Sequence, residues 1–461
     1  MAEGTTHEIC CEIIEALDLP PAALDRLKFT NNDRLPSCFP VSELAGASIG
    51  VACAAVSELT GQAGLAPLVS VDLRLASLWF GFSIRPLDWE IPVPWDAVAG
   101  DYPTRDGWIK LHTNAPHHKI AALSVLQCDA AREVVAATVA QWTGEELEQA
   151  IVAAGGCAAK LRSRSEWLAH PQGEAVSMEP LVIKRPEHSA RMQPWQPTPA
   201  RPLKGLRVLD LTRVLAGPVA TRFLAGFGAQ VLRLDPPDWE EPGVIPEVTL
   251  GKRCARINLR EDEGRRTFER LLSQADVLVH GYRSDALERL GFGSKERQAI
   301  CPGLIDVSLD AYGHSGPWHN RRGFDSLVQF SCGVAAEGMA WRQSATPVSL
   351  PVQALDHATG YLMAASVVRG ILARVRGEPL QHYRVSLART SELLFRYRTE
   401  TKPSSFDAVS DDDISDLIEA TSWGRVKRIK PPASLTGSPM SWDSPAVQLG
   451  STEPEWSDLG A

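Results

Sequence analysis

The chain has no hydrophobic run long enough to cross a membrane. Its best candidate is the run of 14 uncharged residues, 44–57, between Glu43 and Glu58, whereas a transmembrane helix needs about 20 residues. The N-terminus is acidic and has no basic segment ahead of an apolar one, which argues against a secretory signal peptide. We therefore expect no membrane partner, and we expect residues 44–57 to form a buried helix of small side chains.

Cysteine and histidine patterns typical of metal sites are also missing. The nine cysteines are scattered, and only Cys10 and Cys11 are close in sequence, so neither a zinc site nor a disulfide framework is indicated. The histidines form no i, i+4 pair with a glutamate, which argues against a metal site. The net charge of -9 argues against a nucleic-acid partner. These features predict a protein of the reducing cytoplasm.

The composition is that of a folded protein with more than one domain. Hydrophobic residues make up 44% of the 461 residues and charged residues 22%, as in ordinary globular proteins. We expect the following segments: a helical lead-in that packs on the large domain (1–80), a small α+β domain (81–175), a Pro-rich linker (176–202), a Rossmann-like domain (203–395) and a polar, weakly structured C-terminal segment (396–461).

The clearest local pattern is a βαβ unit that begins at residue 206. Apolar strands are predicted over 206–211 and 230–234, with a helix over 219–227 between them and further strands over 276–279 and 304–309. Alternating strands and helices predict an α/β fold with a mostly parallel sheet. The first turn, TRVLAGP, lacks the G-x-G-x-x-G pattern of dinucleotide sites. A helix start beside Arg213 nevertheless suits an anion.

Five ordered blocks over residues 203–372 carry a specific resemblance. They are KGLRVLDLTRVLAGPVATRFLAGFGAQVLRLD, GKRCARINLR, ADVLVHGYRSDALERLGFG, PGLIDVSLDAYGHSGPWHNRRGFDSLVQ and ALDHATGYLMAASVVRGILA. This series resembles the first half of the family III CoA-transferases, a group that includes formyl-CoA transferase and alpha-methylacyl-CoA racemase. The resemblance implies an acyl-CoA and a carboxylic acid as substrates, no permanently bound cofactor, no metal, and a homodimer.

The resemblance implies that Asp356 is the nucleophile. In the family, a carboxylate just before a helix of small residues attacks the acyl-CoA thioester and later carries CoA as an aspartyl thioester. An aspartate directly before an apolar helix is also explained as an N-cap. The chain has Leu355 where the family usually has glycine, and a bulky side chain there would crowd the thioester.

Asp325 matches a second acidic position of the family's active-site region. The residue before it is a histidine in the racemases but Phe324 here, and phenylalanine cannot transfer protons. Transfer of CoA is therefore favoured over racemisation. The alternative for Asp325 is a turn carboxylate that pairs with Arg321 or Arg322.

The resemblance also implies a set of CoA-binding residues: Arg213, Lys252, Arg253, Ile257, Tyr282, Arg283 and Arg289. CoA carries a 3'-phosphate and a diphosphate, which require cations and N–H donors. Each arginine is alternatively a solvated surface residue. Gly281 and Pro236 replace residues that the family commonly uses. A racemase or hydratase of the same superfamily, or a catalytically silent homologue, therefore stays as an alternative.

The order of the segments is unusual for the family. Residues 40–175 resemble the second half of a family unit, so the chain reads as a rearranged or partly duplicated unit. Residues 42–59 and 70–80 can be laid over 355–372 and 384–394 as a possible internal repeat, with chance similarity of two buried helices as the alternative. If the repeat is real, Glu43 stands at the nucleophile position of the first copy. We predict that Glu43 is inactive and that Asp356 carries any activity.

Overall fold

The computed structural model describes residues 2–65, 67–93, 95–186, 195–283, 285–398 and 406–457. Residues 187–194, which are eight of the 17 residues of the expected linker segment PEHSARMQPWQPTPARP, lie outside this range. The N-terminal elements are α1 Ala2–Ala16, a 3₁₀ turn Pro21–Arg26, β1 Leu27–Thr30, α2 Val41–Gly61, β2 Val69–Asp72, α3 Leu73–Trp79 and β3 Ile84–Pro86. The next elements are β4 Gly100–Thr104, β5 Gly107–Leu111, α4 Pro116–Leu126, α5 Arg132–Val139, α6 Gly144–Ala153, β6 Ala158–Lys160, α7 Arg164–Ala169, α8 Pro171–Met178 and β7 Ile183–Pro186.

A long α/β segment follows. Its first part comprises β8 Arg207–Leu211, α9 Ala216–Gly226, β9 Gln230–Asp235, α10 Ile245–Val248, β10 Lys252–Arg256, α11 Asp262–Leu272, β11 Val277–His280, α12 Ala286–Arg289, α13 Ser294–Ile300 and β12 Ile305–Asp310. Its second part comprises α14 Asp325–Ser331, α15 Val334–Arg342, α16 Ala354–Arg376, β13 Gln381–Ser386 and α17 Leu387–Arg396. The chain then forms a 3₁₀ turn Asp411–Asp413, β14 Glu419–Thr421, β15 Gly424–Arg428 and β16 Ala433–Leu435.

The largest sheet has the strand order of a Rossmann fold. Its seven strands run β10-β9-β8-β11-β12-β13-β7, and every neighbouring pair is parallel except β13 with β7. The central strands are almost fully buried and mostly apolar, with a few buried charged residues such as Asp210 and Arg233, as expected when helices cover both faces of a parallel sheet. The predicted α/β class, with a mostly parallel sheet and a smaller α+β part, is confirmed.

The smaller α+β part lies between β4 and β6. Strands β4, β5 and β6 form an antiparallel sheet, and helices α4, α5 and α6 pack on it around a separate apolar core. This part packs against α14, since the Arg162 N–H, just after β6, donates a hydrogen bond to the Phe330 carbonyl of α14.

The N-terminal helix α2 is a core element. Nearly all of its residues are buried, and it packs against α1, α3 and α16. Among the described residues it is the one helix long and apolar enough to cross a membrane, but 94% of that apolar window is buried inside the protein. The prediction of a buried helix is therefore confirmed.

The C-terminal segment is more ordered than expected. Strand β16 pairs with β2, and β15 pairs with β3, so residues 406–457 are tied to the N-terminal part. In the acidic run SDDDISD, Asp413 is buried and pairs with Arg74, their nearest side-chain atoms 2.8 Å apart. Because Arg74 is more than 330 residues away, local composition could not reveal that this charge is neutralised.

Candidate active site

A cavity of about 1240 Å³ lies across the carboxyl ends of the parallel strands. Residues at or directly after the carboxyl ends of six neighbouring strands of the sheet line it: Thr212, Asp235, Ile257, Gly281, Ala311 and Leu387. Strand order reverses between β8 and β11, and ligands of open α/β sheets bind in the crevice at this reversal. The fold therefore places this cavity where a Rossmann-like sheet binds ligands.

Asp356 lies in this cavity, in the first turn of α16. Its carboxylate is 7% exposed and lines the wall. If Asp356 were the N-cap, the helix would begin at His357, but α16 begins at Ala354. Gln353 occupies the N-cap position and makes no side-chain cap hydrogen bond. Asp356 is therefore not the N-cap residue, and its carboxylate faces the space that a substrate would enter.

Asp325 holds the backbone of Asp356 in place. The Asp356 N–H donates to Asp325 Oδ2 at 2.9 Å, and the Gln329 side-chain amide donates to the other carboxylate oxygen. Asp325 is 1% exposed and does not line the cavity. The alternative pairing with neighbouring arginines is wrong, because Arg321 pairs with Glu148 and Arg322 donates to the Gly155 carbonyl. Asp325 is therefore a positioning residue.

The two aspartates perturb one another's ionisation. Burial raises the pKa of Asp325 to about 6, despite hydrogen bonds that favour its charged form. Burial and the nearby Asp325 charge raise the pKa of Asp356 well above its ordinary value. A carboxylate that is hard to ionise is a stronger base and a better nucleophile once it is charged.

Five of the seven predicted CoA-binding residues line the same cavity: Arg213, Ile257, Tyr282, Arg283 and Arg289. The Arg213 guanidinium lies 4.5 Å from the Trp239 ring centre and donates to the Tyr282 hydroxyl at 3.3 Å. Arg289 pairs with Asp285. Three of the five predicted residues in the lining are therefore arginines.

Lys252 and Arg253 are not brought to the cavity, which corrects the prediction for both. Lys252 is 1% exposed, and its Nζ lies 3.0 Å from Asp210 Oδ2 and 2.9 Å from the Pro218 carbonyl oxygen. Arg253 points elsewhere and donates to the Glu455 carbonyl at 2.9 Å. Both lie within β10, whereas the cavity lies beyond the strand ends.

The three departures from the family pattern have different structural meanings. Leu355 is fully buried in the main hydrophobic core and does not line the cavity, so its side chain does not crowd a thioester. Pro236 and Gly281 do line the cavity. At these two positions the chain offers neither a charged side chain nor, at Pro236, an N–H donor.

Several lining residues were not expected from the sequence. Helix α4 of the smaller α+β part contributes His117, His118 and Ile120, and loops contribute Arg260 and Arg322. The histidine pair is visible in the sequence, but only tertiary structure shows that it faces a substrate cavity. In the described part of the chain, no group of three or more His, Cys, Asp or Glu side chains is arranged to hold a metal ion.

Helices α2 and α16 begin in the same way. The residue before each helix has nearly the same backbone geometry, with φ -76° and ψ 63° at Pro40 and φ -77° and ψ 65° at Gln353. In both, the first helical N–H donates to the carbonyl two residues earlier at 2.8 Å. The third helical residue is then acidic, Glu43 in one and Asp356 in the other. This parallel supports the proposed repeat.

The environments of the two acids differ. Glu43 pairs with Arg34, whose Nε lies 2.7 Å from a carboxylate oxygen, and it does not line the cavity that Asp356 lines. Burial raises the pKa of Glu43 in opposition to the nearby Arg34 charge. Glu43 is therefore neutralised by a cation, whereas the neighbour of Asp356 is a second carboxylate.

Comparison with known proteins gives a family for this α/β segment. Residues 203–410 match the model of CoA-transferase family III. An acyl-CoA transferase of Gibberella moniliformis is 28% identical over 72% of this chain and 61% of its own length. A probable fatty acyl-CoA transferase of Mycobacterium tuberculosis is 33% identical over 39% and 48%. The succinyl-CoA:glutarate CoA-transferase of Mus musculus is 32% identical over 46% of each chain.

The chain thus spans about half to three fifths of the length of these relatives. A crystal structure of a Mycobacterium tuberculosis protein aligns with 30% identity over 43% of this chain and 57% of that one, with a TM-score of 0.38. The family match includes all five blocks that carry the resemblance. Residues 203–410 are therefore similar to CoA-transferase family III.

Proposed function

We propose that this protein is a CoA-transferase that moves CoA from an acyl-CoA to a carboxylic acid, with Asp356 as the nucleophile. The observation that carries the proposal is the position of the Asp356 carboxylate, which lines a cavity at the carboxyl ends of a Rossmann-like sheet. The same cavity is also lined by several arginines. A carboxylate nucleophile and a polyanion site are the two parts that such a reaction needs.

The cavity suits a ligand with the size and charge of CoA. Its volume of about 1240 Å³ exceeds the roughly 300–1,000 Å³ of ordinary small-molecule pockets, as the long pantetheine arm requires. Arg213, Arg283 and Arg289 would bind the phosphates. Ala216, the first residue of α9, also lines the cavity, so the positive end of that helix dipole favours the same anions.

The proposed reaction proceeds by four acyl substitutions. The Asp356 carboxylate attacks the thioester carbonyl, forming an acyl-aspartyl anhydride and releasing CoA thiolate. The thiolate attacks the Asp356 carbonyl of the anhydride, giving an aspartyl-CoA thioester and the free acid. The acceptor carboxylate then attacks this thioester and releases the thiolate, which finally attacks the acceptor acyl carbon and frees Asp356.

Proton transfer at the acyl α-carbon is less well supported. Phe324 stacks on His112 with ring centres 3.8 Å apart and planes 5° apart, and a phenyl ring holds no transferable proton. Asp325, directly after it, is occupied by Gln329 and the Asp356 N–H. The racemase and hydratase alternatives therefore lack the acid–base pair that the resemblance would require at these positions.

Mass spectrometry tests the proposal. The protein is mixed with a panel of acyl-CoAs and digested, and the peptide that contains Asp356 is expected to carry a CoA adduct. Asp356→Ala should give no adduct, whereas Arg253→Gln, which changes a cation outside the cavity, should behave like the wild type. Adducts that persist in Asp356→Ala would refute the assignment. Titration with free CoA separates an inactive binder from a protein that does not bind CoA.

We further propose that the protein works in the cytoplasm as a homodimer. All nine cysteines are free, as expected in a reducing compartment. The homodimer follows from the resemblance to family III. Light scattering on the purified protein gives its mass directly, and a mass near the 50.1 kDa of one chain would refute the dimer.

A further inference from the structure

His118 is a buried histidine in the wall of the cavity. It lies on α4, is 3% exposed and lines the same space as Asp356. Neither its Nδ1 nor its Nε2 has a hydrogen-bond partner among the described residues. A buried polar atom without a partner is unfavourable in a folded protein, and such exceptions concentrate at functional positions.

The surroundings of His118 hold its ring in place without using its nitrogens. The ring packs edge-on against Phe324, with ring centres 5.8 Å apart and planes 67° apart, and Phe324 in turn stacks on His112. Burial, and then the nearby His117, Arg322 and His112, lower the pKa of His118 to about 3. At neutral pH the imidazole is therefore uncharged and offers one N–H donor and one acceptor nitrogen.

The cavity would be mismatched to a purely aliphatic acyl chain beside His118. Such a chain would cover the imidazole and leave both nitrogens without partners, at the full cost of their desolvation. An oxygen on the chain would accept from the imidazole N–H. Arg322 also lines the cavity and carries only donors, so an oxygen acceptor would satisfy both side chains.

We propose that His118 is a specificity residue that binds an oxygen function, whether hydroxyl, oxo or a second carboxylate, on the acyl group or acid. The inference rests on the proposed function, because it assumes that the acyl group lies in the cavity lined by Asp356. It adds a polar subsite supplied by the smaller α+β part. The reacting carbonyl at Asp356 and the recognised oxygen are thus held by different parts of the fold.

The test compares CoA thioesters with four-carbon acyl groups that differ only in their oxygens: butyryl, 3-hydroxybutyryl, acetoacetyl and succinyl. Their dissociation constants are measured by calorimetry in Asp356→Asn protein, which cannot form the anhydride. At least one oxygenated thioester should bind about ten-fold or more tightly than butyryl-CoA. Which thioester is preferred identifies the oxygen function.

We call the dissociation constant of butyryl-CoA divided by that of the preferred oxygenated thioester the preference ratio. Adding His118→Phe to the Asp356→Asn protein should bring this ratio close to one. Phenylalanine keeps the edge-on contact with Phe324 and removes both unpartnered nitrogens, so the variant should also melt at a higher temperature than its parent. His319→Phe, the same change at an exposed histidine that does not line the cavity, is the matched control and should keep the preference.

The outcomes separate the two proposals. A ratio near one in the parent protein, or a ratio unchanged by His118→Phe, overturns the subsite, while a CoA adduct on Asp356 of the wild type keeps the proposed function. Failure of all four thioesters and of free CoA to bind overturns both. Equal loss of affinity for every thioester in His118→Phe also contradicts the subsite, because it indicates a contact with CoA itself.

Discussion

Replacement of Asp325 by asparagine should change how stability depends on pH. Burial raises the pKa of Asp325 from its ordinary 3.8 to about 6 in the folded protein. Between these two pH values, Asp325 therefore keeps its proton in the folded state but has lost it in the unfolded state. The stability from this proton is fully present below pH 3.8 and is lost as the pH rises through about 6.

The size of the effect follows from the two pKa values. At about 1.4 kcal/mol per pH unit, the difference between the folded and unfolded pKa values of Asp325 corresponds to about 3 kcal/mol of unfolding free energy. About 2 kcal/mol of this falls between about pH 4.5 and 7.5, where denaturant unfolding is practical. The asparagine also leaves one hydrogen bond unmade, either to Gln329 or to the Asp356 N–H, but that loss is independent of pH.

The assay is urea unfolding of the wild type and Asp325→Asn over this pH range. The variant's stability relative to the wild type should rise by about 2 kcal/mol from the acidic to the neutral end. The variant's pH–rate profile should also move to lower pH, because the like charge that raises the Asp356 pKa is removed. A stability difference that stays constant with pH would refute the assigned burial and coupling of the two carboxylates.

Three further predictions follow from single contacts. Asp356→Ala should abolish CoA transfer while Glu43→Ala keeps it, since only Asp356 lines the cavity; an active Asp356→Ala enzyme in a steady-state assay rejects this assignment. Arg213→Gln should weaken free-CoA binding about ten-fold in calorimetry, with Arg253→Gln as the unaffected control. Gly360→Ala should lose about 1–3 kcal/mol of unfolding free energy, because a Cβ there would lie 2.4 Å from a backbone oxygen of α9; an unchanged urea midpoint would contradict this packing.

Local sequence predicted the parallel-sheet core well. Strands β8, β9, β11 and β12 lie where apolar runs between helical segments predicted them, because strands that are buried on both faces are rich in apolar residues. Strand β10 was not predicted. It carries Lys252 and Arg253, and a strand with two adjacent cations gives no apolar signal even though Lys252 is buried against Asp210.

For the C-terminal segment, the sequence composition predicted too little structure. Its polar composition suggested weak structure, yet its strands complete two sheets that begin near the N-terminus. Arg428 pairs there with Glu419 and Glu247. Charges that are neutralised by distant residues look solvated in the sequence, so composition alone underestimates the order of such a segment.

The amino-acid sequence by itself determined the α/β class, the resemblance to family III and the choice of Asp356 as the reactive candidate, because each depends on patterns within about 170 consecutive residues. Only the tertiary structure decided which side chains share the cavity with Asp356. It placed Lys252 in a buried ion pair with Asp210, away from the cavity. It also placed His118, more than 200 residues before Asp356 in the sequence, in the wall of the same cavity. The physical reason is that a substrate site is assembled from strand ends and helix faces that meet only when the chain is folded.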